Sequence, residues 1–364
     1  MTIANHFVEL DSHTKSLDII SDIKFSPFNQ LAVSTWDNEI LLYDCKNFLE
    51  PHEPPTKDPV AIIKTDDTPL CLLYTPLNQT FAGVLDGTVR ILDFENMKLG
   101  SNIASEASND EIGGGINNIC NVEPLNAIAC SSFNGKLQLL DPRQVKPIQV
   151  IPSTSPRQKI TAMDTSDKFI TCAMNANKIE IYDFRNLHQA METREVGLKY
   201  QVKDLKTFPN NQGFALSTID GRVSIEYFDS SPEVQQNKRF TFKCHRHQDS
   251  FTGADLVYPV NSIAFHKTYT STLFTAGSDG TVCLWDCDKK KRMRQYPKFL
   301  SHEGEPESVV KIGLSKGDEL IAVATSDDNY MRRRRLSESE SSRAPSRIYI
   351  KCIGETECMP KRAT

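Results

Sequence analysis

Short runs of alternating apolar and polar residues, each broken by a turn signal, recur along the chain. In every copy an apolar segment ends in small residues, a tight turn follows, and an alternating strand closes on an aromatic or apolar residue and Asp. The first copy is Val33-Ser34-Thr35-Trp36-Asp37-Asn38-Glu39-Ile40-Leu41-Leu42-Tyr43-Asp44. Residues 82–93 repeat it around Asp86-Gly87, and residues 130–141 around Asn134-Gly135. Residues 172–183 form a weaker copy, and residues 216–229 a fifth with Asp220-Gly221-Arg222-Val223. The sixth is the clearest, Ala276-Gly277-Ser278-Asp279-Gly280-Thr281-Val282-Cys283-Leu284-Trp285-Asp286. A seventh begins at Ala322 and resumes at Arg347-Ile348-Tyr349-Ile350.

The closing aspartates recur roughly every 42 to 57 residues, near the ~40–45 of WD repeats. Asp-Gly and Asn-Gly supply the positive φ angles of two-residue hairpin turns, and alternation turns one face of each strand inward. Segments such as Ile23-Lys24-Phe25-Ser26-Pro27 and residues 260–266 provide the strand before each apolar run. Four short strands per copy, with no long amphipathic helix, predict an all-β, seven-bladed WD-repeat β-propeller. Two sandwich domains would not give seven similar copies. The prediction is one domain over residues 1–364, interrupted at 331–346 by a charged, Ser-rich insertion expected to be disordered. No Gly-His dipeptide occurs and only the sixth copy ends in Trp-Asp, so the hydrogen-bond network of many WD blades is expected to be incomplete.

Antiparallel alternation puts the turn between the second and third strands on the same face as the end of the fourth. Trp36 sits in such a turn and Arg222 directly follows one. The run Arg239-Phe240-Thr241-Phe242-Lys243-Cys244-His245-Arg246 reads as the fourth strand of the fifth blade, ending on that face. An exposed indole with Arg and Lys suits a peptide bearing an apolar side chain and a phosphate; packing of Trp36 on its own turn is the simpler alternative.

Composition narrows the classes. The 364 residues carry a formal net charge of −5, against the basic excess of a general phosphate-backbone binder, so no direct DNA binding is expected. Residues 1–6 lack the basic and apolar regions of a signal peptide, and no run approaches the ~20 apolar residues of a membrane span. The ten cysteines sit mostly in apolar runs and read as reduced, buried residues of a cytosolic or nuclear protein. Gly313-Leu314-Ser315-Lys316-Gly317 matches G-x-S-x-G, yet lies between two strand patterns where a nucleophile elbow needs strand, turn and helix. Cys244, His245 and His247 lack a second ligand pair for zinc. No P-loop is present, Gly113-Gly114-Gly115 reads as a loop, and the acidic residues 303–307 read as a surface loop. The chain is therefore expected to be a peptide-binding protein without catalytic residues, metal or cofactor.

At the fifth and sixth copies the sequence resembles the mitotic (spindle assembly) checkpoint propeller of the Bub family. The residues are Gly197-Leu198-Lys199-Tyr200-Gln201, Asp220-Gly221-Arg222-Val223-Ser224-Ile225-Glu226-Tyr227, Ser231-Pro232-Glu233-Val234-Gln235, Phe240 to Arg246, Tyr258-Pro259-Val260-Asn261 and Gly277-Ser278-Asp279-Gly280. Weaker similarity runs through Ser34-Thr35-Trp36-Asp37 and Asp141-Pro142-Arg143. A sister family, the GLEBS-binding mRNA export propeller of the nuclear pore, shares the Phe-Lys-Cys-His-Arg stretch; the Ser-Pro-Glu-Val run fits the checkpoint family better. The resemblance implies a nuclear adaptor, at kinetochores in mitosis, monomeric within hetero-complexes. Its implied partners are the GLEBS segments of a checkpoint kinase and its kinase-related paralogue, and phosphorylated Met-Glu-Leu-Thr (MELT) motifs on a kinetochore scaffold. It implies that Arg222 and Lys243 hold phosphothreonine, Trp36 contacts the peptide's apolar part, and Lys203 pairs with a GLEBS glutamate. Relatives often carry Arg at the last position; Lys lacks its bidentate fork.

Overall fold

A computed structural model describes residues 6–13, 17–50, 54–103, 114–143, 147–151, 158–175, 177–249, 252–301, 304–327 and 346–360. Seven four-stranded antiparallel sheets follow one another, with one extra two-stranded ribbon. Six blades are built from consecutive strands, as blade 1 is from Ile20–Phe25, Gln30–Thr35, Glu39–Asp44 and Ala61–Lys64. The seventh takes Val309–Leu314, Leu320–Thr325 and Arg347–Cys352 from the end of the chain and Val8–Glu9 from its beginning, with Val8 opposite Ile350. The first strand of blade 1 packs on the first strands of both blade 2 and blade 7, which closes the ring.

The repeat seen in the sequence is repeated physics. The second residue of every second strand is Leu31, Phe81, Ile128, Ile170, Phe214, Leu273 or Ile321, and each is fully buried. Truncating any of them to Ala would cost about 2–5 kcal/mol. In each blade, the residue after the second strand donates its N–H to the carbonyl just before the first strand. The seven bonds are Trp36 to Ile19, Leu85 to Thr68, Phe133 to Gly115, Asn175 to Lys159, Ile219 to Gln201, Ser278 to Pro259 and Ser326 to Ser308, at 2.9–3.2 Å. They define one face, here the upper face.

Side chains of the first strands stitch neighbouring blades. Asp22, Asp164 and Asp204 accept the backbone N–H of Leu72, Thr207 and Ile263 in the next blade at 2.8–2.9 Å. Lys24 and Lys311 lie 3.6 and 3.9 Å from Asp22. Burial alone would raise the Asp22 pKa, but these cations and the Leu72 N–H hold its carboxyl below the usual range. The ten thiols are unpaired and eight are buried, as expected. Burial lifts their pKa values, to about 12 for Cys45 and Cys130, so they behave as small apolar groups.

The insertion expected at 331–346 falls outside the described residues except for Ser346. Glu307, read from sequence as part of a surface loop, is buried. Its carboxylate binds Arg347 and accepts the Thr325 hydroxyl at 2.8 Å, because the preceding turn returns it to the top of blade 7. Ser315 is buried in a hairpin turn, where its hydroxyl accepts the Leu320 N–H.

Candidate functional site

Blade 5 brings two of the expected site residues together. Arg222 opens its third strand, Arg222–Tyr227, and Lys243 ends its fourth, Phe240–Lys243. They are direct cross-strand partners in the hairpin register, so their side chains share one sheet face at the upper rim. Like charges so placed repel, and the site accommodates them with one carboxylate: Asp220 Oδ2 accepts the Arg222 Nε–H at 2.8 Å. With Nε engaged, the terminal amino groups are the guanidinium's remaining donors. Lys243 is exposed. Gly221, at φ 66°, makes the turn; a Cβ there would lie 2.8 Å from the Cys244 carbonyl.

A third cation, not singled out from the sequence, stands behind this pair. Arg246 directs its guanidinium to the carbonyls of Asp220 and Gly221 at 3.4 and 3.3 Å, and its Nε is buried without a partner among the described residues. Three cations thus gather at the Asp220-Gly221 turn, an arrangement suited to a doubly charged anion. Sequence reasoning missed it because strand alternation puts residues 243 and 246 on opposite sides; the left-handed turn at His245 brings them together.

Trp36 lies on the same face and is half exposed. It belongs to blade 1, and blades 6 and 7 stand between it and blade 5 on the shorter way round. The positions equivalent to Trp36 in blades 2, 3 and 5 are Leu85, Phe133 and Ile219, all exposed. Aligning the repeat copies would have revealed this interrupted apolar ring.

Lys203 is exposed at the upper end of the first strand of blade 5, Val202–Thr207. It is the bulged residue, since pairing skips from Val202 to Asp204. All seven first strands bulge at this second position. In three other blades the bulged side chain bonds the first carbonyl of the following blade: Ser21 to Pro69, Asn117 to Ile160 and Asn261 to Val309, at 2.6–2.9 Å.

The chain after Lys243 departs from the expected strand. His245 adopts φ 47°, which ends the strand and sends residues 246–248 into a separate ribbon with Asp255–Val257. The turn buries the imidazole between blades 5 and 6. There Nδ1 meets Asp279 and Nε2 meets Thr275, both at 2.8 Å, and Thr275 in turn accepts the Trp285 Nε1–H at 3.0 Å. Blade 6 therefore holds a complete Trp–Thr–His–Asp chain, without a Gly-His dipeptide. Blades 1, 3 and 5 keep only the fragments Thr35–Asp37, Ser132–Asn134 and Thr218–Asp220. Burial raises the Asp279 pKa, but the His245 and Thr281 hydrogen bonds outweigh it and hold the carboxyl below its ordinary value. The network separates the three residues weighed for zinc: Cys244 is buried, His245 is bonded on both nitrogens, and His247 is exposed and stacked 5.3 Å from Tyr258.

Ring closure, the rim hydrogen bonds and the blade 6 network define a WD-repeat propeller, and the WD40 family (WD domain, G-beta repeat) matches residues 5–44 and 239–286. Spindle assembly checkpoint protein bub3 of Schizosaccharomyces pombe is 33% identical over 77% of this chain and 81% of its own length. Mitotic checkpoint protein BUB3.1 of Arabidopsis thaliana is 39% identical over 56% of this chain and 55% of its own. Mitotic checkpoint protein bub3 of Dictyostelium discoideum is 29% identical over 92% and 91%. The chain belongs to the Bub3 family of mitotic checkpoint propellers.

Proposed function

We propose that this chain is a spindle-checkpoint adaptor that recruits checkpoint proteins to kinetochores by binding peptides on its upper face, without catalysis. The names of its relatives support the checkpoint assignment. In this reading the scaffold's phosphorylated MELT motif binds at blade 5, and the GLEBS segment of a checkpoint kinase or its paralogue crosses the same face past Lys203.

The observation that carries the phosphate assignment is the cross-strand pair Arg222–Lys243, open at the rim with Arg246 behind it. A phosphothreonine carries about −1.5 to −2 charges and three acceptor oxygens, which two or three cations can engage through charge-assisted bonds. A threonine hydroxyl carries no charge and a single acceptor oxygen, so a kinase switches the contact. In the same reading Trp36 contacts the apolar part of the peptide.

The test is a fluorescence titration of the full chain with a MELT peptide, phosphorylated and not, with and without a GLEBS peptide. The reading requires affinity that depends on the phosphate. Equal binding of both forms, or RNA binding without a phosphopeptide response as in an export-type propeller, would refute it.

A further inference from the structure

The face opposite Arg222 carries a second opening. There the turns after the first and third strands of blades 5 and 6 enclose a solvent-open cleft of about 230 Å³. Its floor is aromatic, with Phe208 edge-on to Tyr227 at 5.4 Å and to Phe265 at 5.1 Å. A lysine stands on either wall, Lys238 from blade 5 and Lys290 from blade 6. Each ammonium is braced on a ring, Lys238 at 5.9 Å from Tyr227 and Lys290 at 4.8 Å from Phe240. Neither has a salt-bridge partner among the described residues.

We infer that this cleft binds a short acidic peptide segment, independently of the upper face. Stacking on a ring restricts each lysine stem before a ligand arrives, so less entropy is lost when the ammonium meets a carboxylate. Asn210 and Asn237 line the same space and supply neutral amides, donors and acceptors both, for a peptide backbone. The lining includes one carboxylate, Asp288 beside Lys290, which sets the direction of an acidic segment by repelling its charges from that end. A nucleic acid fits less well. Bases stack on open ring faces, and Phe208 and Phe265 are 6% and 9% exposed.

The wall that holds Lys238 is built by Ser231-Pro232-Glu233-Val234-Gln235, a motif the upper-face reading leaves unused. It folds as the helix Pro232–Asn237, and Gln235 Nε2 pins it to the carbonyls of Asp229 and Tyr227 at 2.6 and 3.3 Å. No other connection between third and fourth strands contains an α-helix among the described residues. The helix thus raises one side of the cleft.

The test uses a fluorescein-labelled pool of octapeptides with Asp or Glu at alternate positions, titrated against the full chain by anisotropy. Saturable binding is expected, weakened about tenfold in a Lys238→Glu/Lys290→Glu variant, as two solvent-facing ion contacts should give. Lys290→Met, which keeps a stem over Phe240, should fall between, and the pool should still bind a parent chain already saturated with phosphorylated MELT peptide. Circular dichroism melts of the variants matching the parent establish that the losses are local. Absence of saturable binding, equal binding by the double variant, or tighter binding of a ten-nucleotide single-stranded RNA would overturn the inference.

Discussion

Gly277 lies against His245 so closely that a Cβ placed on it would be 2.5 Å from the imidazole Nδ1. That nitrogen is committed to Asp279, and the ring is buried, so it has nowhere to retreat. Gly277→Ala is expected to destabilise the chain by about 1–3 kcal/mol through overpacking. His245→Ala should cost more, about 2–4 kcal/mol, because it strands Asp279 and Thr275 in the interior. Urea unfolding monitored by fluorescence measures both. Little change in the midpoint for either variant would mean that the blade 6 network contributes no stability.

Acid should undo the fold through its carboxylates. Asp22, Asp279 and Asp318 are buried, which taken alone raises their pKa values. Cations and hydrogen bonds more than compensate: Lys24 and Lys311 at Asp22, His245 at Asp279, His266 at Asp318. Each folded-state value therefore lies below that of the unfolded chain, so their stabilisation is complete above the unfolded value of about 3.9 and is lost as pH falls through the folded values. Thermal melts should show a falling midpoint below about pH 4, with a shallower fall in Asp279→Asn than in the parent. A midpoint independent of pH in that range would contradict this linkage.

For the upper face, Arg222→Ala and Lys243→Ala should each weaken phosphopeptide binding by about tenfold or more. Arg222→Lys keeps the charge and loses the planar fork, and should recover only part of the affinity. Raising the salt from 0.05 to 0.5 M should weaken the parent more than either Ala variant. Titration of the purified variants with the phosphorylated peptide decides, and salt dependence unchanged by Arg222→Ala would place the phosphate elsewhere.

The exposure of Trp36 makes a separate prediction. Trp36→Ala should weaken the phosphorylated MELT peptide by about tenfold or more while leaving its dependence on the phosphate in place. Calorimetry with the phosphorylated and unphosphorylated peptides measures this. Unchanged affinity in Trp36→Ala would place the apolar part of the peptide elsewhere.

The sevenfold architecture was legible because every blade buries the same position, and burial writes period-two alternation into the sequence. The proximity of Arg222 and Lys243 was legible too, since a tight Asp220-Gly221 turn and two strands fix a register. Trp36 was harder. Strand direction tells which face a residue occupies, but its distance across that face depends on the packing of whole sheets. His245 was misread as strand because a single left-handed residue, invisible in composition, turns the chain. Glu307 looked solvated because its partner Arg347 lies beyond the insertion, and no local pattern couples the two.

Pairing Val8–Glu9 with Arg347–Cys352 makes the seam of the ring a contact between segments far apart in sequence. Six blades can form from neighbouring strands, yet the seventh is complete only when both distant segments have met. Until they do, a bare sheet edge waits for its cover, and the ring stays an open crescent.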